Sequence, residues 1–173
     1  PSPPSPPSPQ SSQVGRKKIG LLWRAEHHAE KDKMVGQEDV RSMTLAQLLP
    51  LLEEETYDIF SFGNGATRAE IEANAMAGRI YDMGGLLHDM AQTAALVATM
   101  DAVVTVDSAM AHLAPSLGVP TFLLLPLYGD WRWGVATDSV FYPRLVKIFR
   151  QQFFGDWQQP LKQVKQALRQ FFS

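Results

Sequence analysis

The stretch Asp101-Ala-Val-Val-Thr-Val-Asp-Ser-Ala-Met-Ala-His-Leu-Ala-Pro-Ser-Leu-Gly-Val-Pro-Thr-Phe-Leu-Leu-Leu125 decides the fold class. It joins an apolar run at 101–106, a helix-compatible segment at 109–117 and a second apolar run at 119–125. Continuous apolar runs, in place of alternating apolar and polar residues, are typical of strands that are covered on both faces. The stretch therefore predicts a strand, a helix and a second, parallel strand.

The same alternation of strands and helices extends over most of the chain. Further strands are predicted at 18–23, 57–62, 79–83 and 145–149, and further helices at 43–52, 66–76, 89–100 and 158–172. Ser42 is the predicted N-cap of the first helix, Pro50 predicts a kink in it, and Asp89 is a further predicted N-cap. The pattern predicts an α/β domain with a doubly wound, mostly parallel sheet over residues 16–173.

Residues 1–15 have a different composition, rich in proline and serine. Proline favours an extended polyproline II path and removes backbone donors, so this segment is predicted to be a tail or linker. Its Pro-x-x-Pro spacing leaves open a second interpretation, a ligand for an SH3- or WW-type domain. A linker of this kind also leads us to expect a neighbouring domain on its N-terminal side.

The composition excludes several classes of function. Lys and Arg number 16 against 18 Asp and Glu, so the formal net charge of −2 predicts no binding of nucleic acid through a basic field. Cysteine is absent, which excludes disulfides, thiolate nucleophiles and Cys-ligated zinc, and which fits a reducing, cytoplasmic location. No apolar run approaches the roughly 20 residues that span a bilayer, so no transmembrane segment is expected.

The candidate site lies where the strand at 101–106 ends. Asp107 and Ser108 follow the strand directly, Ala109 leaves room for a ligand, and His112 comes one helical turn after Ser108. The N–H groups and dipole of a helix N-terminus favour an anion such as a diphosphate. A purely structural interpretation stays open, in which these residues cap a helix and the histidine packs in the core.

Two sets of segments resemble known glycosyltransferases. The run Val106-Asp-Ser-Ala-Met-Ala-His-Leu-Ala114 with Leu117-Gly-Val-Pro120 resembles the Asp-Thr/Ser-x-x-x-His-Leu-Ala signature of heptosyltransferase-like glycosyltransferases, family 9. The segments Leu124–Trp133, Tyr142-Pro143, Phe149–Gln151 and Gly155–Trp157 resemble the C-terminal half of bacterial tetratricopeptide-repeat glycosyltransferases. The resemblance covers about residues 18 to 172.

The resemblance implies one half of a GT-B fold, namely the C-terminal Rossmann-like domain that binds a nucleotide sugar. Asp107, Ser108, Ala109 and His112 would hold the donor diphosphate and the adjoining ribose or sugar. The Trp23-Arg24 loop and Arg41-Ser42 would border the same pocket. The nucleotide sugar is the donor substrate and no cofactor is expected.

The family also implies a partner. The base that deprotonates the acceptor comes from an N-terminal acceptor domain, in the same or another chain, and no catalytic residue is assigned here. We therefore expect this chain by itself to bind a nucleotide weakly and not to catalyse transfer.

Two clusters outside the signature carry chemistry of their own. His27 and His28 lie in a charged loop, without a third ligand at regular spacing, so a solvated loop is favoured over a metal site. The cluster Asp130-Trp-Arg-Trp133 follows the strand at 119–125, at the edge of the sheet where ligands bind. Two indoles can stack on a base or sugar and a guanidinium can pair with phosphate, so we expect this cluster, with Trp131 and Arg132 as site residues, to contact ligand or the domain cleft. A structural interpretation stays open, in which the cluster anchors the loop on the sheet or packs against the other domain.

An alternative function is a non-catalytic α/β module for protein interaction or self-assembly. Phe153-Phe154, Phe171-Phe172 and the tryptophans at 131 and 133 could form its surface. We expect most of these aromatic side chains to pack in the core instead.

Overall fold

The computed structural model describes residues 15–25, 40–53, 56–74 and 78–173. The strands are β1 (Lys17–Leu22), β2 (Tyr57–Ser61), β3 (Ile80–Asp82), β4 (Ala102–Val106), β5 (Thr121–Leu125) and β6 (Val146–Arg150). The helices are α1 (Leu45–Leu52), α2 (Ala66–Glu72), α3 (Met90–Val97), α4 (Met110–Ser116) and α5 (Gln158–Phe172), with 3-10 turns at Gly84–Leu86 and Trp131–Trp133. The predicted strands and helices are thus confirmed, although several of them are shorter than predicted.

The described strands form one six-stranded sheet in the order β3-β2-β1-β4-β5-β6, and every pairing is parallel. The chain builds outward from β1 to β3, returns to the middle at β4, and builds outward again to β6. This confirms the predicted doubly wound fold. The order reverses between β1 and β4, and in such sheets the loops beyond this point form the ligand crevice.

Helices cover both faces of the sheet, which explains the continuous apolar runs. On one face, Val104 belongs to an apolar cluster with α1 and α5; on the other, Val103 belongs to a cluster with α3 and α4. Neighbouring residues of a strand point to opposite faces, so both must be apolar when both faces are covered.

The predicted N-cap of α1 is wrong by two residues. Thr44 is the N-cap: its hydroxyl accepts from the Gln47 N–H at 3.4 Å, and the Gln47 side chain accepts from the Thr44 N–H at 2.9 Å. This reciprocal pair needs a Gln or Glu three residues after the cap, which Thr44 has and Ser42 lacks. Ser42 instead accepts a hydrogen bond from the Ala25 N–H at 3.0 Å, which ties its segment to the end of β1. At α3 the predicted cap is confirmed, because Asp89 accepts from the Gln92 N–H at 2.7 Å.

The predicted tail falls almost wholly outside the described residues, as do His27 and His28. Among the residues that are described, no helix has both the length and the apolar character that a membrane span requires.

Candidate functional site

A cleft of about 510 Å³ opens at the carboxyl ends of β1 and β4, where the strand order reverses. Six of the predicted site residues line it: Arg41, Asp107, Ser108, Ala109, His112 and Arg132. The rest of the wall comes mainly from the ends of β1 and β2 and from α3 and α4: Leu22, Ala25, Phe62, Asn64, Leu87, Asp89, Met90, Thr93, Met110 and Leu113. The structure therefore brings together side chains that lie more than 90 positions apart in sequence, from Arg41 to Arg132.

The turn between β4 and α4 is internally bonded. The hydroxyl of Ser108 accepts from the Met110 N–H at 3.3 Å and lies 3.1 Å from the hydroxyl of Thr105. The next two N–H groups, of Ala111 and His112, donate to backbone carbonyls at 3.1 Å. An anion at this turn would therefore have to use the N–H groups of Ser108 and Ala109, which have no acceptor among the described residues.

This arrangement modifies the predicted anion site. Helix α4 begins at Met110, one residue later than expected, and is only seven residues long. Its macrodipole is correspondingly small, so anion binding would depend more on nearby cationic side chains than on the helix end.

The carboxylate of Asp107 and the imidazole of His112 share a contact that the sequence did not reveal. Trp133 is only 2% exposed, and its indole N–H donates to Oδ1 of Asp107 at 2.8 Å. The same indole stacks on the His112 ring, with centroids 4.8 Å apart and planes inclined by 20°. Trp133 thus contacts both Asp107, which follows β4, and His112, which lies in the first turn of α4.

Arg132 lies at the rim of the cleft in a two-pronged ion pair with Asp130. Its Nε and Nη2 donate to the two oxygens of that carboxylate at 2.9 and 2.8 Å. The hydrogen bonds from the Arg132 side chain and backbone hold the pKa of Asp130 below its usual range, and the same pairing raises the pKa of Arg132. The guanidinium is about half exposed, so it remains accessible from the cleft. Trp131, by contrast, is 84% exposed and is not one of the residues that line the cleft.

The Trp23-Arg24 pair has a different place from the one predicted. Trp23 is fully buried, and its indole N–H donates to Glu70 at 3.2 Å. Arg24 donates to the same carboxylate at 2.7 Å, as does the N–H of Leu45 at 2.6 Å, in the first turn of α1. Glu70 therefore joins the end of β1 to α1 and α2.

Arg24 and Ser42 line a second cavity, of about 530 Å³, together with Phe154 and Trp157. The predicted site residues are accordingly divided between the cleft, this neighbouring cavity, the core for Trp23 and the exposed surface for Trp131.

Two contacts were not predicted: that of the Trp133 indole with Asp107 and His112, and that of the Glu70 carboxylate with the end of β1. The contact between Trp133 and Asp107 had a usable signal in the sequence. The indole N–H of a buried tryptophan needs a hydrogen-bond acceptor, and the nearest sequence signature offers the carboxylate of Asp107. Glu70 lies on a polar helical segment without any signature. As for metals, the described residues include no group of three His, Asp or Glu side chains that could hold an ion.

A family model and solved structures match the chain. The family model described as glycosyltransferase family 9 (heptosyltransferase) matches residues 10–133. Among solved structures, Escherichia coli ADP-heptose LPS heptosyltransferase II matches with a TM-score of 0.62 and 20% identity, over 94% of this chain and 48% of that one. No curated protein sequence matches significantly.

A second solved protein has the same fold. The E. coli heptosyltransferase WaaC with ADP-2-deoxy-2-fluoro heptose matches with a TM-score of 0.58 and 15% identity, over 94% of this chain and 44% of that one. The same enzyme with ADP matches with a TM-score of 0.56. The chain thus spans just under half the length of the solved proteins that it resembles.

Proposed function

Because the chain belongs to glycosyltransferase family 9, the heptosyltransferase family, we propose that residues 16–173 are the donor-binding half of a GT-B glycosyltransferase. In this proposal the substrate is a nucleoside-diphosphate sugar, and the complete enzyme transfers the sugar to an acceptor hydroxyl. The likeness of the segments between Leu124 and Trp157 to tetratricopeptide-repeat glycosyltransferases supports a placement in that branch.

One observation carries the proposal: the cleft at the β1–β4 crossover combines a buried carboxylate with cationic side chains. Asp107 is 7% exposed, and its negative charge repels phosphate but accepts hydrogen bonds from hydroxyl groups. Arg132 and Arg41 line the same cleft, and a guanidinium pairs with phosphate oxygens. A ligand that carries both hydroxyls and phosphates satisfies this set of groups, and a nucleotide sugar is such a ligand.

The same groups suit the chemistry of transfer. As the bond from the sugar to the diphosphate breaks, negative charge grows on the leaving phosphate, and cations or N–H groups near it lower the barrier. Arg132 and the N–H groups of Ser108 and Ala109 supply such charge stabilisation in this proposal. The acceptor hydroxyl must also lose a proton to a base.

We assign that base to the acceptor-binding half. The solved heptosyltransferases that match are about twice as long as this chain. Their length supports a proposal in which one half binds the donor and the other half supplies the base for the acceptor. We therefore expect no transfer by this chain alone, and turnover with donor and acceptor would overturn that part of the proposal.

The test is calorimetric titration of the chain with ADP, UDP and GDP. We expect one nucleotide to bind, and Arg132→Gln to weaken its binding about tenfold through loss of a charged contact to phosphate. The matched control is Arg68→Gln, which removes a guanidinium that pairs with Glu72 and Asp82 outside the cleft. The proposal fails if none of the three nucleotides binds, or if the control weakens binding as much as Arg132→Gln.

Exposed aromatic side chains keep the interaction module as a second candidate. The expectation that most of them pack in the core is wrong, because Trp131, Phe153 and Phe154 are 84, 71 and 67% exposed and Phe171 is half-exposed. Trp131 follows β5 and the two phenylalanines follow β6, at the edge that carries the cleft. A donor domain should lose nucleotide binding on His112→Ala while it keeps its fold, whereas a scaffold without a nucleotide site would be indifferent to this change.

A further inference from the structure

Trp133 belongs to the long loop between β5 and β6, yet its side chain reaches the turn after β4. It is almost fully buried, it donates to the Asp107 carboxylate at 2.8 Å, and it stacks on the His112 ring. Most buried tryptophans can satisfy the indole N–H with a backbone carbonyl. Here the acceptor is instead a charged side chain that lines the cleft.

The turn that carries Trp133 is itself fixed to the sheet. At its end, the guanidinium of Arg150, the last residue of β6, donates to the carbonyl of Gly134 at 2.6 Å. At its start, the Asp130 carboxylate accepts from the Arg132 N–H at 2.9 Å. The backbone of the turn that carries the indole is therefore held by hydrogen bonds other than the one to Asp107.

This bracing restricts the carboxylate of Asp107. One oxygen accepts the indole N–H, which restricts rotation of the carboxylate about its Cβ–Cγ bond. The other oxygen accepts no hydrogen bond from any residue that the structure describes. This second oxygen can therefore accept a hydrogen bond from a hydroxyl group in the cleft, and the bond at the first oxygen favours one orientation of the carboxylate.

The imidazole of His112 is restricted from two sides. The indole lies against one face with a 20° inclination, and the Tyr142 ring lies at 6.0 Å with a 56° inclination. Aromatic contacts of this kind favour one side-chain rotamer over the others.

We propose that Trp133 is a positioning residue of the donor site, which orients the Asp107 carboxylate through its N–H and the His112 ring through stacking. The inference rests on the proposed function, because it gives these two side chains a ligand to meet. It assigns a role to the loop between β5 and β6 that neither the signature nor the comparisons assign.

The first part of the test measures orientation without a nucleotide. In NMR spectra of the whole chain, the His112 ring protons should be shifted upfield by the indole, and the Trp133 indole proton should be downfield and slow to exchange. Asp107→Asn should move the Trp133 indole resonance. Trp133→Leu should remove most of the His112 shift and leave only the part due to Tyr142. Trp133→Phe should retain most of the shift, and Trp131→Leu, in the same turn but exposed, should change neither resonance.

The second part measures the coupling to binding. For whichever of ADP, UDP or GDP the wild type binds, Trp133→Phe should weaken the affinity about tenfold, since it keeps the stack but removes a hydrogen bond to a charged group. In an Asp107→Ala background the same change should cost no further affinity, because its effect acts through that carboxylate. A merely structural role would weaken binding equally in both backgrounds.

The outcomes separate the two proposals. Absence of nucleotide binding in the wild type overturns the proposed function and, with it, the donor-site role of Trp133. Nucleotide binding without coupling between Trp133 and Asp107 overturns the positioning role alone. If Trp133→Phe fails to fold, the wild-type spectrum and Asp107→Asn still decide: a His112 ring without upfield shift, or an indole resonance that Asp107→Asn does not move, refutes the inference.

Discussion

Removal of the Glu70 carboxylate tests how the end of β1 is held. Three donors converge on this group: the Trp23 indole N–H, the Arg24 guanidinium and the Leu45 N–H. Glu70→Ala leaves a fully buried indole N–H without an acceptor, which costs about 1–3 kcal/mol. The Glu70 carboxylate also forms a partly exposed ion pair with Arg24, and its negative charge lies at the N-terminus of α1. Each of these two interactions stabilises the fold by about 0.5 kcal/mol. We expect a total loss of about 2–4 kcal/mol in the free energy of unfolding.

Urea unfolding at pH 7, followed by circular dichroism, measures this loss. Glu72→Ala is the control, because Glu72 lies on the same helix in an exposed pair with Arg68 and should contribute about 0.5 kcal/mol or less. In a Trp23→Phe background, which lacks the indole N–H, the cost of Glu70→Ala should fall by about 1–2 kcal/mol. Equal losses for Glu70→Ala and Glu72→Ala, or an undiminished loss in the Trp23→Phe background, would refute the reasoning.

Two further predictions concern the loops around the cleft. A Cβ at Gly84 would lie 2.6 Å from the backbone oxygen of Gly63, so Gly84→Ala should destabilise the fold by about 1–3 kcal/mol. Gly85→Ala, whose Cβ would meet nothing closer than 3.5 Å, should lower the melting temperature far less; equal shifts would contradict the steric account. The pKa of Asp130 is lowered by Arg132, so its contribution to stability is present above the ordinary carboxyl pKa and is lost as the pH falls through the lowered value. Carbon-detected NMR titration below about pH 4 should show this depression, and it should disappear in Arg132→Gln.

The fold was predictable because its determinants are local. Each strand is a short apolar run, and neighbours such as Val103 and Val104 must both be apolar because each faces a helical layer. The parallel direction of most consecutive strands follows from the helices that alternate with them. The N-cap of α1 was missed because two hydroxyl residues, Ser42 and Thr44, lie only two positions apart, and only the reciprocal bond with Gln47 distinguishes them.

The candidate site was predictable from spacing alone only where its residues are close in sequence, whereas Arg41 was assigned through the family resemblance and Arg132 from its place after a strand. Asp107, Ser108 and His112 follow one strand at helical spacing, so their proximity is a local property. Trp133 lies 26 positions from its acceptor, and the path of the loop decides that this tryptophan, not Trp131, turns inward. That path depends on the 3-10 turn and on the hydrogen bond from Arg150 to Gly134, neither of which has a sequence signature.

The hydrogen bond from Arg150 of β6 to the carbonyl of Gly134 also constrains the order in which the cleft forms during folding. β6 follows the other five described strands in the chain and, among them, pairs only with β5. Until it docks, Arg150 cannot hold the turn at Gly134, and the indole of Trp133 lacks this support beside Asp107. The five preceding strands can therefore pair and bury much of the core while the cleft is still unfinished. The cleft would then become able to bind a ligand only late in folding, when the edge strand β6 has paired with β5.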